Sequence, residues 1–99
     1  MMRLKSNHIQ SWVRLVDFLE GGEFTEDDWL EFVKTISARL HIGLVWDALD
    51  NQERTVVSRA DERFVKLAGT ALRKAGLLDK YLHVGKKLPA DQWWWHISE

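Results

Sequence analysis

The residues best suited to bind another molecule are the basic side chains between residues 59 and 74. At about 100° per residue they fall on one side of a helix, and apolar residues occupy the other side. Positive groups along one helix face neutralise phosphates and release counterions, which gives affinity for DNA of any sequence. A charged outer stripe is also typical of an ordinary solvated helix. The stripe consists of Arg59, Arg63, Lys66, Thr70, Arg73 and Lys74.

Three consecutive tryptophans, Trp93, Trp94 and Trp95, form the second candidate site. Side chains alternate across a strand, so in a strand the first and third point one way and Trp94 points the other. Three explanations are open: packing on the chain's own helices, an interface with a second copy or a partner protein, and a platform for base stacking. Tryptophan is enriched at interaction hot spots, which favours the protein interface over base stacking. We expect Trp94 to be the exposed residue.

The remaining polar residues give no sign of catalysis. The carboxylates from Glu23 to Glu31 lie at a helix start, where the helix dipole accounts for them. Neither a glycine-rich phosphate loop nor a nucleophile motif occurs. His83 and His96 could approach each other across a hairpin, but two histidines do not make a zinc site. The other two, His8 and His41, also lack metal-ligand spacing. We therefore expect a non-enzymatic protein with no catalytic residue, no metal and no cofactor.

Composition indicates one globular domain over residues 1–99, with 45% hydrophobic and 29% charged residues. Cysteine is absent, and no apolar stretch has the length of a signal peptide or a membrane span, so we expect a cytoplasmic protein. The net charge of −1 conceals a polarised chain. Residues 1–58 carry a net −4, residues 59–87 a net +5 and residues 88–99 a net −2.

Apolar periodicity predicts helices at about 7–20, 26–40 and 59–75. Gly21 and Gly22 end the first helix, and Thr25 with Asp28 resembles a capping box for the second. Ser58 with Asp61 resembles another box at the start of the basic helix, which Gly76 ends. Residues 44–57 fit either short helical segments, one of them capped by Asp50 and Glu53, or a strand at 42–46.

Beyond the basic helix, the sequence predicts a β-hairpin over about residues 80–97. Aromatic and β-branched residues at 81–84 and 93–97 are typical of strands, and residues 85–91 would form the loop. The expected fold is therefore mainly α with a C-terminal β-hairpin, in a small single domain. A homodimer through this hairpin would bury the tryptophans.

A short helix, a turn, a longer basic helix and a hairpin over residues 44–97 resemble the winged-helix family of DNA-binding domains. The segment Leu72-Arg73-Lys74-Ala75-Gly76-Leu77-Leu78 before the hairpin carries the resemblance. It implies a winged-helix-like fold in which the longer helix enters the major groove and the hairpin wing touches the DNA backbone or the minor groove. By this resemblance Lys86 and Lys87 would lie at the wing tip and contact double-stranded DNA. The candidate DNA-binding residues on the longer helix would be Arg59, Arg63, Lys66, Thr70, Arg73 and Lys74.

Two functional hypotheses follow. The first is a small non-enzymatic DNA-binding module that uses the basic helix and the wing. The alternative is a protein-binding adaptor or inhibitor, of the accessory type that mobile elements encode. In that case the acidic segment 20–31 and the tryptophans 93–95 would contact the partner, and the basic stripe would be solvated.

Overall fold

Residues 2–97 fold into four α-helices joined by short turns. The computed structural model describes residues 2–97, with side chains from residue 7 onward. Within residues 2–97 there is no β-strand, so the protein is all-α, and the expected C-terminal hairpin and winged-helix-like arrangement are wrong. Short 3-10 turns lie at Glu26–Asp28, Trp46–Ala48 and Trp93–Trp95. The helices are α1 (Met2–Glu20), α2 (Trp29–Leu44), α3 (Asn51–Lys74) and α4 (Leu78–Gly85).

The connection between α1 and α2 follows the local signals in the sequence. Gly22 has a φ of 79°, a left-handed conformation that glycine adopts without strain, and it ends the first helix. The Thr25 backbone N–H donates to the Asp28 carboxylate at 2.8 Å, as predicted for a capping box. One 3-10 turn then leads into α2, so the start signal is confirmed.

α3 is one continuous helix of 24 residues, and the predicted break near Ser58 is wrong. Its true start is the other predicted box, in which Asp50 accepts from the Glu53 N–H at 2.7 Å and Glu53 accepts from the Asp50 N–H at 2.9 Å. At its end Gly76 has a φ of 75°, and the Leu77 N–H donates to the Leu72 carbonyl at 2.8 Å. This geometry is a Schellman cap, so the predicted helix end is confirmed.

The segment predicted as a hairpin forms a helix and a turn instead. Residues 81–84 lie within α4, and Trp93–Trp95 form a single 3-10 turn. Tyr81 joins the two parts, because its hydroxyl donates to the Trp94 carbonyl at 2.6 Å and accepts from the Ile97 N–H at 3.1 Å. Aromatic residues favour strands mainly because they pack well on a half-buried surface. Here the helices provide that surface, so the aromatic content does not require a sheet.

The core lies where α1 packs against α2 and α3. The radius of gyration is 13.2 Å, close to the roughly 13 Å of a compact domain of this length. Within the described range, none of the helices combines the length and the apolar composition that crossing a membrane requires. The largest fully buried side chains are Trp12, Tyr81, Phe32, Phe64, Ile36, Ile42, Leu72, Val16 and Val57.

We expect Gly85→Ala to lower the free energy of unfolding by about 1–3 kcal/mol, because overpacking a tight contact is destabilising. A Cβ atom at Gly85 would overlap the carbonyl oxygen of Trp95. Gly43→Ala is the matched control, since its Cβ would lie 3.8 Å from Arg39 Nη1. Alanine should stabilise that helical position by about 0.5–1 kcal/mol. Urea unfolding measures both, and a G85A protein as stable as wild type would contradict the close approach of α4 to the turn.

We also expect stability to fall in alkaline solution through Tyr81. Burial raises the pKa of Tyr81 to about 12, although the hydrogen bond from Ile97 acts in the opposite direction. In the unfolded chain Tyr81 loses its hydroxyl proton near the ordinary tyrosine pKa of about 10. Below that pH its contribution to the free energy of unfolding is intact. It is lost as the pH rises through about 12, and the loss reaches about 2–3 kcal/mol.

Urea unfolding at neutral pH and at a pH of about 11 tests this linkage. Tyr81→Phe starts less stable, because both hydrogen bonds of the hydroxyl are lost, but its stability should depend less on pH. An equal alkaline loss in the two proteins would show that Tyr81 is not the responsible group.

Candidate functional site

The predicted DNA-binding residues lie mostly on the solvent side of α3. Thr70 and Lys74 line a shallow groove against Leu19 of α1. One carboxylate, that of Glu62, lies among these basic residues on the same exposed side. Lys86 and Lys87 are exposed directly after α4, at a helix end rather than at a wing tip. The exposed members on α3 are Arg59, Lys66, Thr70, Arg73 and Lys74.

Arg63 differs from the rest of this set because it is engaged by α1. Its Nη2 atom donates to Asp17 Oδ1 at 2.7 Å and also to the carboxylate of Glu20. The hydrogen bond to Asp17, followed by that to Glu20, raises the pKa of Arg63 above its ordinary value. This side chain therefore joins α3 to α1 and offers little free charge to a phosphate.

The three tryptophans pack on the chain's own helices. Trp94 and Trp95 are 5% and 6% exposed, and Trp93 is half-buried. Our expectation that Trp94 is the exposed one is wrong, because a 3-10 turn does not alternate its side chains as a strand does. The Trp95 ring stacks on Tyr81, with ring centres 5.5 Å apart. The homodimer proposed through a hairpin lacks its structural basis, since the hairpin is absent.

A buried ion pair that the sequence analysis missed lies beneath these tryptophans. Arg39 of α2 donates from Nε and Nη2 to the two oxygens of Asp61 of α3, at 2.9 and 3.0 Å. The indole N–H of Trp12 of α1 donates to the same carboxylate at 2.9 Å. A signal was present in the sequence: Arg39 lies three residues from both Ile36 and Ile42, on the buried face of its helix.

Tryptophan rings cover the guanidinium of Arg39. Its central carbon lies 5.7 Å from the ring centre of Trp46, 5.6 Å from that of Trp93 and 5.4 Å from that of Trp94. Such a group of rings attracts cations through their negative faces. The chain's own Arg39 occupies the space between these rings. The group of rings therefore has a structural role and leaves no space for a ligand.

The most exposed large apolar side chains lie on α2. Leu30 is 81% exposed and Leu44 is 74% exposed, and Leu40 between them is 36% exposed. Together with the half-buried Val33 and the exposed Ser37, they fall within an arc of about 80° at 100° per residue. We call these five residues the α2 stripe. The spacing was visible in the sequence.

Acidic side chains border one end of the α2 stripe. Glu23, Glu26 and Asp27 are exposed just before Leu30, and within the described residues no hydrogen bond or ion pair engages their carboxylates. Asp28, by contrast, is used by the helix cap. The predicted acidic segment 20–31 therefore meets the α2 stripe at the start of α2.

Other features are less suited to chemistry. The surface grooves hold about 190–280 Å³, below the roughly 300–1,000 Å³ of typical small-molecule pockets. His8 and His41 stack with ring centres 4.7 Å apart, an arrangement that does not point their nitrogens at one ion. Among residues with described side chains, no three His, Asp or Glu groups could hold a metal ion.

Comparison with known proteins gives no relative: no family model matches the chain, and no curated protein or solved structure matches it.

We expect Arg39→Lys to lower the free energy of unfolding by about 1–3 kcal/mol, because an ammonium group cannot reproduce the paired hydrogen bonds or the flat stacking of a guanidinium. Arg14→Lys is the matched control, since Arg14 is exposed on α1 and should change stability by less than about 0.5 kcal/mol. Urea unfolding followed by tryptophan fluorescence measures both. Equal stabilities for the two variants would contradict the central role given to Arg39.

Proposed function

We propose that the chain is a non-enzymatic protein-binding module that acts through the α2 stripe and the adjoining acidic residues. The observation that carries the proposal is the exposure of Leu30 and Leu44, at 81% and 74%, on the same side of one helix. Exposed apolar surface of this kind is typical of interaction sites. Covering each leucine with a partner would contribute about 1.5–3 kcal/mol.

This proposal keeps the acidic segment 20–31 of the earlier alternative but replaces the other half of its contact surface. The tryptophans are occupied in the core, with Trp94 only 5% exposed. The α2 stripe takes their place as the apolar part of the interface. A cytoplasmic location is part of the proposal, because a chain without cysteine has no need of an oxidising compartment.

A double variant tests the protein-binding proposal. Immobilised wild type should retain a specific protein from a lysate of the source cells, and Leu30→Glu with Leu44→Glu should reduce that retention at least tenfold, because each leucine contributes to a partner's affinity. Val65→Glu is the control, since Val65 is 50% exposed on α3, away from the stripe. The same retained protein at the same level with all three baits would rule out the α2 stripe as the binding surface.

A second candidate function is binding of double-stranded DNA by the outer face of α3. Its support is that Arg59, Lys66 and Lys74 are exposed and that no described side chain pairs with them. The exposed Lys86 and Lys87 add positive charge beyond α4. We place this candidate second, because Arg63 is engaged by α1 and Glu62 lies on the same face.

Anisotropy of a labelled random-sequence duplex at two salt concentrations tests the DNA candidate. If three phosphates are contacted, the logarithm of the affinity should fall with the logarithm of salt concentration with a slope of about −3. Arg59→Glu with Lys66→Glu should reduce that slope by about 2. Arg14→Glu with Lys34→Glu changes the net charge equally on α1 and α2 and is the control. Absence of wild-type binding at low salt would eliminate this function.

A further inference from the structure

The α2 stripe has the spacing of a coiled-coil seam. Leu30, Ser37 and Leu44 are seven residues apart, and Val33 and Leu40 follow the first two by three residues. These are the a and d positions of a heptad pattern, through which one helix packs along another. The seam extends for about 21 Å at 1.5 Å per residue. A partner helix of about two heptads would cover it from end to end, and a third heptad would reach the acidic residues before Leu30.

The charge along this seam is unequal at its two ends. Glu23, Glu26 and Asp27 precede Leu30, whereas the last turn of α2 carries no carboxylate, contains His41 and is followed by one exposed carboxylate, Asp47. A complementary partner therefore carries most of its positive charge at the end beside Leu30. Lysine and arginine are most favourable in the last turn of a helix, where they complement the helix dipole. The partner's cations lie beside the acidic residues and also in its own last turn when its C-terminal turn lies beside the start of α2.

A second copy of this chain does not supply that complement. If two α2 helices pair antiparallel about Ser37, Asp27 of one copy lies near Asp47 of the other, and like charges meet. If they pair in parallel, the two sets of Glu26 and Asp27 lie side by side. Neither arrangement brings a cation to the acidic end, so charge complementarity favours a different protein.

From this spacing and charge we infer that the partner presents an amphipathic α-helix that lies antiparallel to α2, with apolar residues at heptad spacing and lysine or arginine in its last turn. The inference rests on the proposed function and adds the partner's structure and orientation. Leu30, Val33, Leu40 and Leu44 make the apolar contacts, and the acidic residues before Leu30 set the direction.

Two synthetic helical peptides of equal composition test this inference. Both have leucine at the a and d positions over three heptads, but one carries three lysines in its last turn and the other carries them in its first turn. Fluorescence anisotropy measures their affinity for the full chain. We expect the peptide with lysines in the last turn to bind about tenfold more tightly, with a ratio that shrinks as salt is added.

Variants identify the cause of the preference. Glu23→Gln with Glu26→Gln and Asp27→Asn should bring the affinity ratio of the two peptides close to one, because the three carboxylates that set the direction are removed. Leu30→Glu with Leu44→Glu should abolish binding of both peptides. A preference that persists without the three carboxylates would overturn the inference, since it would then arise from the peptides' own helicity.

The remaining outcomes separate this inference from the proposed function. Equal affinities of the two peptides for wild type would overturn the orientation, while the retention experiment would still test the α2 stripe by itself. Binding of neither peptide would overturn a helical partner in the same way. Dimerisation of the chain that Leu30→Glu prevents, measured by sedimentation, would identify a second copy as the occupant and overturn the choice of a different protein.

Discussion

One guanidinium group links the major parts of the described structure. Arg39 of α2 pairs with Asp61 of α3, and the same carboxylate holds the indole of Trp12 from α1. Tryptophans from the turn after α2 and from the C-terminal turn cover the faces of the guanidinium. A buried charge without its partner is strongly destabilising, so each of these segments has to take its observed position for the others to be stable. The tryptophans that the sequence suggests as an external binding surface therefore pack inside the protein, against Arg39.

The parts of the fold that local chemistry decides could be predicted from the sequence. Thr25 and Asp50 begin helices because carboxylates three residues later complete their caps, and Gly22 and Gly76 end helices because each has a positive φ. The same reasoning fails at Ser58. The carboxylate three residues after it is engaged by α1 and α2 rather than by a cap, and α3 continues without a break.

The parts that depend on distant contacts could not be predicted. The residues near Tyr81 and Trp94 in the sequence do not indicate that these two will lie in a helix and in a single turn. Strand propensity therefore predicted the wrong secondary structure for both. The basic face of α3 was predictable as a stripe, but the capture of Arg63 by two carboxylates of α1 was not. The exposed face of α2 was readable as a heptad pattern. The sequence alone does not say which side of a helix its neighbours cover, so it did not show that this face stays exposed.

The contact between Trp12 and Trp93 also determines how the chain can reach this structure. Their ring centres lie 6.5 Å apart, one in the first helix and the other in the last turn, so nearly the whole described chain forms the loop between them. Helices form from neighbouring residues and therefore appear early, whereas closing a long loop costs conformational entropy before its contacts are made. We therefore expect the helices of this all-α protein to form before its first helix and its last turn meet.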